Sequence, residues 1–220
     1  MDLLSKTSDI RDAVQAELDF DPLVNAANVT VKNIEGDVAL NGTVPSFPQY
    51  QEAAAAARRV SGVKQVHNHL MVMLPDADYR DDVQLATAAN NALGWDVTVP
   101  SGIEATARDG NLTLSGLVEY GSQRLAAERA VSGLTGVRNV KDDIEVSSDA
   151  DALDVTLLVD DAIDRNALFY DDSDVQVAVN GNTVTLGGHV RTWAEHDAAV
   201  GAAWMASGVY AVIDDIAITG

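Results

Sequence analysis

Few side chains in this sequence are suited to chemistry. His67 and His69 flank Asn68; two imidazoles two residues apart on a strand project to the same side and could hold a metal ion weakly. Asp160, Asp161, Asp164 and the run Asp171-Asp172-Ser173-Asp174 could attract a hard cation through oxygen ligands, but they lack the spacing of an EF-hand loop. Arg58 and Arg59, with Arg124 and Arg129, are the cations best placed to meet an acidic surface, against the plainer reading of solvated helix-face residues. Trp95, Trp193 and Trp204 suit either interfacial anchoring or burial within or between modules, and burial is the reading taken.

None of these sets completes a reaction centre. His189 and His196 stand apart from any repeated acid and nucleophile, and H-E-x-x-H, G-x-S-x-G and phosphate-cradling glycine loops are missing. With no cysteine, thiolate catalysis, disulfides and Cys-ligated metal drop out. The equivalents of His67 and His69 elsewhere in the chain are Lys141 and Asp143, then Ile213 and Asp215, so the pair reads as structural or incidental. The expectation is no catalytic residue, no cofactor and no metal.

The 220 residues carry 34 Asp+Glu against 14 Lys+Arg, a net charge of -20 that repels phosphate backbones and argues against nucleic acid. The charge is graded: -3 over residues 1–75, -7 over 76–149 and -10 over 150–220. A hydrophobic fraction of 47% nevertheless supports folded cores. The Asp-rich acidity fits either a high-salt habitat or a merely acidic soluble protein. No stretch approaches membrane-spanning length and the first residues have no signal-peptide pattern, so the sequence as it stands reads as cytoplasmic, or periplasmic if a signal was removed.

The elements that must position these side chains come in three copies. Gly36-Asp37-Val38-Ala39-Leu40-Asn41-Gly42-Thr43-Val44 recurs as Gly110-Asn111-Leu112-Thr113-Leu114-Ser115-Gly116-Leu117-Val118 and as Asn182-Thr183-Val184-Thr185-Leu186-Gly187-Gly188-His189-Val190. Twenty residues after Gly42, Gly116 and Gly188 come Gly62, Gly136 and Gly208, each followed by valine. Positions Asn68, Asp142 and Asp214 keep the register, so the repeat offsets are 74 and 72 residues. The six glycines read as turn, cap and close-packing residues.

Within each copy, helical spacing appears first: Ile10, Val14 and Leu18, with Ser8 or Asp9 as N-cap; Leu85, Ala88, Ala89, Ala92 and Leu93; Leu158, Ala162 and Ile163. Strands beginning at Val29, Ile103 and Val175 then pair with the glycine-bearing strand as hairpins. A second helix buries Ala53, Ala56, Ala57 and Val60, or their counterparts Ala127, Ala130, Val131 and Leu134, and Ala199, Ala202, Ala203 and Ala206. A final strand rich in Val and Ile closes the unit by a parallel crossover. The prediction is α+β: three tandem α-β-β-α-β modules, 8–74, 82–147 and 154–219, each a small three-stranded mixed sheet packed on two helices.

This order of helix, x-V-x-V strand, Gly-x-(Val/Leu)-x-Leu-x-Gly-x-Val strand, Ala-rich helix and Gly-Val-x-x-Val strand resembles the BON domain, in an array of repeats alone that is OsmY-like. The resemblance implies the same α-β-β-α-β fold without a catalytic centre. It also implies a bacterial osmotic-stress or envelope-stress role, phospholipid binding or a protein partner at the membrane, and a periplasmic site of action. The functional expectation is a non-catalytic binding module array that recognises a protein partner or membrane component. The alternatives are an acidic structural protein that self-assembles as a homo-oligomer and a cation- or salt-responsive protein.

Overall fold

The computed structural model describes residues 3–147, 152–166 and 174–219. The elements are α1 (Leu3–Phe20), β1 (Val29–Ile34), β2 (Asp37–Val44), α2 (Phe47–Arg58) and β3 (Gln65–Val72), then α3 (Asp82–Trp95), β4 (Glu104–Arg108), β5 (Asn111–Val118), α4 (Gly121–Ser132) and β6 (Asn139–Val146). The third series is α5 (Ala152–Asp164), β7 (Asp174–Asn180), β8 (Thr183–Val190), α6 (Trp193–Met205), β9 (Ala211–Asp214) and β10 (Ala217–Ile218). The strands form three small sheets, ordered β1-β2-β3, β4-β5-β6 and β10-β8-β7, with β9 also on β8. The fold is α+β. Two compact units divide the chain, Met1–Ala89 with Thr106–Leu112 and Ser132–Lys141, and Asn90–Ala105 with Thr113–Val131 and Asp142–Gly220, so the middle repeat contributes to both.

In the first unit, β1 and β2 pair antiparallel with Val31 opposite Leu40, and β3 joins β2 in parallel. Glu35 and Gly36 both have positive φ, 55° and 101°, which is the two-residue turn that matches strand twist. Val38 and Leu40 alternate onto one face, where α1 supplies Val14 and Leu18 and α2 supplies Ala53, Ala56 and Ala57 to a single core. The small alanine stripe lets α2 lie close to the sheet. In the second unit the same plan gives Val184 and Leu186 from β8, Val155, Val159 and Ile163 from α5, and Ala199 and Ala203 from α6.

Gly42 explains why this hairpin tolerates only glycine at its repeated position. Its φ is +125°, and a Cβ there would collide with the carbonyl oxygen of Asn28 on the approach to β1. Gly188 repeats the arrangement against Asp174, and Gly116 against Gly102. Gly62, Gly136 and Gly208 also have positive φ, but they lie in the loops after α2, α4 and α6 rather than at the caps themselves.

Several local expectations are corrected. The helix α1 begins at Leu3, so Ser8 and Asp9 lie inside it and do not cap it; the residues before them are themselves helix-compatible. Val60, Leu134 and Ala206 fall just beyond their helices. On α5 the inward stripe is Val155, Val159 and Ile163, while Leu158 is exposed, and on α3 Ala88 is exposed between the buried Leu85 and Ala89. The final strand of the third repeat is broken: β9 pairs with Thr183–Leu186 and β10 with His189–Val190. The break faces Gly187 and Gly188, and glycine weakens strand pairing.

Candidate functional site

One position on each second helix faces one position on each final strand, and the chemistry there differs between repeats. Offsets of 74 and 72 residues relate Tyr50, Arg124 and His196, each the fourth residue of its helix, and likewise Asn68, Asp142 and Asp214. The helix N-termini that carry them are fixed by side chains. Ser46 and Thr192 accept the N–H groups of Gln49 and Glu195, and Gln123 and Glu195 reach back to the N–H groups of Tyr120 and Arg191. Glu195 is thereby buried, at 1% exposure, as a capping group.

The strand residue has two tasks. Its Oδ1 accepts the backbone N–H two residues on, at 3.2 Å in Asn68, 2.9 Å in Asp142 and 3.2 Å in Asp214. Its other atom meets the helix. Asn68 Nδ2 donates to the Tyr50 carbonyl at 2.7 Å, Arg124 Nε donates to Asp142 Oδ2 at 2.8 Å, and His196 Nε2 lies 2.7 Å from Asp214 Oδ2. The three nodes are therefore neutral, ionic and titratable. Burial would lower the His196 pKa, but the hydrogen bond to Asp197 and the charge of Asp214 outweigh it, and the net direction is upward. Trp193 packs edge-on against the same imidazole at 4.8 Å.

The middle node opens into a cleft of about 520 Å³ within the second unit, lined by Arg124, Asp142, Glu145, Trp204, Tyr210 and Val212 among others. Arg124 lies 5.3 Å over the Trp204 ring and donates to the Tyr210 carbonyl at 3.2 Å. Gly121 is in contact with that indole, where a Cβ would collide with it, and Tyr120 forms an antiparallel bridge to Ser207. Glu128, one turn beyond Arg124, has its pKa raised by burial and by Asp142, with Arg124 opposing. The site combines a fixed cation, carboxylates and an aromatic floor, which suits recognition of a polar group beside an apolar one.

The other nominated residues are dispersed. Arg59 is held by Glu17 at 2.9 Å, Glu52 at 2.8 Å and Asp21, so its charge is spent inside the first repeat. Arg58 is half-buried, and Arg129 Nε donates to the Leu125 carbonyl at 3.2 Å. His67 and His69 lie side by side on the exposed face of β3 with parallel rings 6.3 Å apart. Among the described residues no three His, Asp or Glu side chains are grouped to hold a metal. Asp160 has its pKa raised by burial, then by Asp164 and Asp161, while Asp171, Asp172 and Ser173 lie outside the described residues. Trp193 and Trp204 are half-buried, but Trp95 is 84% exposed at the end of α3, against the expectation of burial.

Sequence reasoning used Asn68, Asp142 and Asp214 only as register marks; it took Arg124 as a surface cation and His196 as standing apart, left Tyr50 aside, and paired none of them with its strand residue. A tyrosine, an arginine and a histidine share no type, so only the 74- and 72-residue offsets could have aligned them. No helix among the described residues is long and apolar enough to cross a membrane.

Comparison with known proteins gives a consistent placement. The BON domain family matches the chain three times, over residues 6–73, 81–148 and 152–220. The osmotically-inducible protein Y of Escherichia coli (strain K12) is 31% identical over 129 residues; the match covers 56% of this chain and 63% of that protein, less than two thirds of its length. Among solved structures, the C-terminal domain of CdsD, a structural protein of the type III secretion system of Chlamydia trachomatis, covers 100% of both chains at 15% identity and a TM-score of 0.27. A second CdsD structure covers 96% of this chain and 92% of its own at 16% identity and a TM-score of 0.28, and likenesses so slight say nothing of this chain's role. On the threefold match along nearly its whole length, the chain belongs to the BON domain family.

Proposed function

We propose that this is a non-catalytic binding protein of osmotic or envelope stress, in which the repeats 8–74, 82–147 and 154–219 serve as separate recognition modules and the ligand is a protein partner. The family and the osmotically-inducible relative support the stress connection. The observation that carries the choice of partner is the disposition of the arginines. Arg59 is neutralised by three carboxylates and Arg124 by Asp142, so two of the four cations nominated for an anionic lipid surface already have anionic partners. A net charge of -20 adds repulsion from such a surface. Trp95, with Val97 at 99% exposure beside it, offers the aromatic and apolar anchor that protein interfaces favour. A chain without cysteine folds alike in a reducing or an oxidising compartment, which suits the periplasm as well as the cytoplasm.

The test pairs two measurements on the full chain. Co-sedimentation with phosphatidylglycerol vesicles is expected to be no greater than with phosphatidylcholine vesicles. Crosslinking in osmotically stressed cells is expected to capture a discrete protein that Trp95→Ser loses. Strong, salt-sensitive binding to phosphatidylglycerol vesicles by the wild-type chain would overturn the choice of a protein partner.

A further inference from the structure

Strand alternation puts a row of nitrogen and sulfur donors on the outer face of β3. Val66, Leu70 and Val72 turn to the core of the first repeat, which leaves His67, His69 and Met71 exposed on the opposite face. Met73 extends the row one step past the strand, its N–H still donating to the Val44 carbonyl at 2.8 Å. The order of donors is His-x-His-x-Met-x-Met, all within one compact unit. Two of the chain's four methionines stand here at 65% exposure each, where a thioether fills no core, so packing does not account for them. The equivalent rows are Lys141, Asp143, Glu145 and Ser147, then Ile213, Asp215, Ala217 and Thr219, so the donors belong to the first repeat alone.

The surroundings favour a soft ion over a hard one. β3 pairs with β2 alone, and the β2 residues opposite His67, His69 and Met71 are Ala39, Asn41 and Thr43. None is a carboxylate, the ligand on which calcium and magnesium sites are built. Neither imidazole has a hydrogen bond or an ion pair among the described residues, and their ring contact is with each other. The two rings are parallel, with centroids 6.3 Å apart. Half that separation is about the sum of a metal–nitrogen bond of about 2.0–2.1 Å, the length imidazole makes to zinc, and the distance from a ring nitrogen to the ring centre. Turning both rings about χ2 therefore brings one nitrogen of each to opposite sides of a single ion, in line. Met71 is the next donor, about 6.6 Å further at about 3.3 Å per residue, and its three rotatable bonds let the sulfur reach an ion held by His69. A single ion meets two of the three donors at a time, because the outer pair is twice as far apart.

We infer that the outer face of β3 binds one copper(I) ion, held either between His67 and His69 or between His69 and Met71, with His69 common to both pairs. Copper(I) is a closed-shell ion that accepts two ligands in line; imidazole suits it and thioether selects it. Zinc is also drawn to imidazole, but its sites are built from four ligands and the row supplies too few. The net charge of -20 attracts any cation and gives no such order of preference.

The test is competition for copper(I) between the full chain and bicinchoninate, read as loss of the coloured chelate. Ascorbate keeps the metal reduced, a pH of about 7.5 keeps imidazole a neutral ligand, and salt at about 0.15 M screens diffuse attraction to the acidic chain. The wild-type chain is expected to retain one equivalent. His69→Ala, which removes the shared donor, weakens retention about tenfold or more, the least that a lost outer-shell partner costs a metal site. His67→Ala weakens it less, because His69 and Met71 remain a pair, and Met71→Leu added to it removes that remainder. All three positions are exposed, so the circular dichroism of each variant stays that of the wild type. Equimolar zinc(II) does not displace the copper(I). Failure of the wild-type chain to retain copper(I) overturns the inference. So does retention by His69→Ala equal to that of the wild type, displacement by equimolar zinc(II), or a His67→Ala chain to which Met71→Leu makes no difference.

Discussion

Replacing Arg124 with alanine removes three interactions of different kind from one place. The ion pair with Asp142 joins side chains that are 22% and 20% exposed; discounted for residual solvent screening, it is worth about 1–2 kcal/mol. The hydrogen bond to the Tyr210 carbonyl contributes about 1 kcal/mol, and the cation over the Trp204 ring about 0.5–1 kcal/mol. The loss comes to about 3 kcal/mol, or more than a hundredfold in the equilibrium between the packed and separated arrangement of these groups. Trp204 reports it directly. In a Trp95→Phe, Trp193→Phe background it is the single indole, and Arg124→Ala is expected to move its emission to the red and lower the urea midpoint read at that wavelength. Arg124→Lys keeps the charge but not the planar stack, and falls between the two. A double-mutant cycle with Asp142→Asn isolates the ionic part. If Arg124→Ala leaves both the spectrum and the midpoint of Trp204 where they were, the cleft is not held together by this residue and the reasoning fails.

Gly42→Ala is expected to cost about 2–4 kcal/mol, from positive-φ strain and the forced retreat of Asn28, whereas Gly201→Ala in mid-α6, with nothing within 4 Å of the new Cβ, gains about 0.5–1 kcal/mol; urea curves of both variants check the contrast. His196 has a raised pKa, so its contribution is present in full below the unfolded value of about 6.5 and is lost as pH rises through the folded value. Thermal melts from about pH 5 to about pH 9 should therefore show a declining limb that His196→Gln lacks, and a flat wild-type profile contradicts this. In the first repeat the Leu23 N–H, with Arg59, holds the Asp21 carboxyl below its usual range. Its contribution is present above the unfolded value and lost as pH falls through the folded one, so Asp21→Asn should flatten the acid limb of stability.

The hairpins, the alanine stripes and the glycine spacings were legible because each is a local pattern written three times. Val31 lies nine residues before Leu40, and the two are register partners across the β1–β2 hairpin, as are Val177 and Leu186 across β7–β8. Periodicity failed where adjacent apolar residues made two faces equally plausible. On α5, Leu157-Leu158-Val159 offers three candidates, and the fold buries only the valine. Trp95 defeated a rule about size, since the helix that carries it runs one residue past Gly94 and projects the indole outward. The helix-to-strand nodes were illegible for a different reason. Their members are 18 residues apart and unlike in type, and which atoms meet depends on how α2, α4 and α6 lie across their sheets.

The division of labour within Asn68, Asp142 and Asp214 bears on how such an array diversifies. One side-chain atom is committed to the backbone and keeps the strand in register, whichever repeat it serves. The other meets the second helix, at the Tyr50 backbone carbonyl in the first repeat and at the Arg124 or His196 side chain in the other two, so a duplicated repeat can change the helix residue without renegotiating its strand. The same economy makes the pair a grafting point. Moving Arg124 and Asp142 into the first repeat, in place of Tyr50 and Asn68, would transplant an ionic specificity onto a scaffold that already holds both positions.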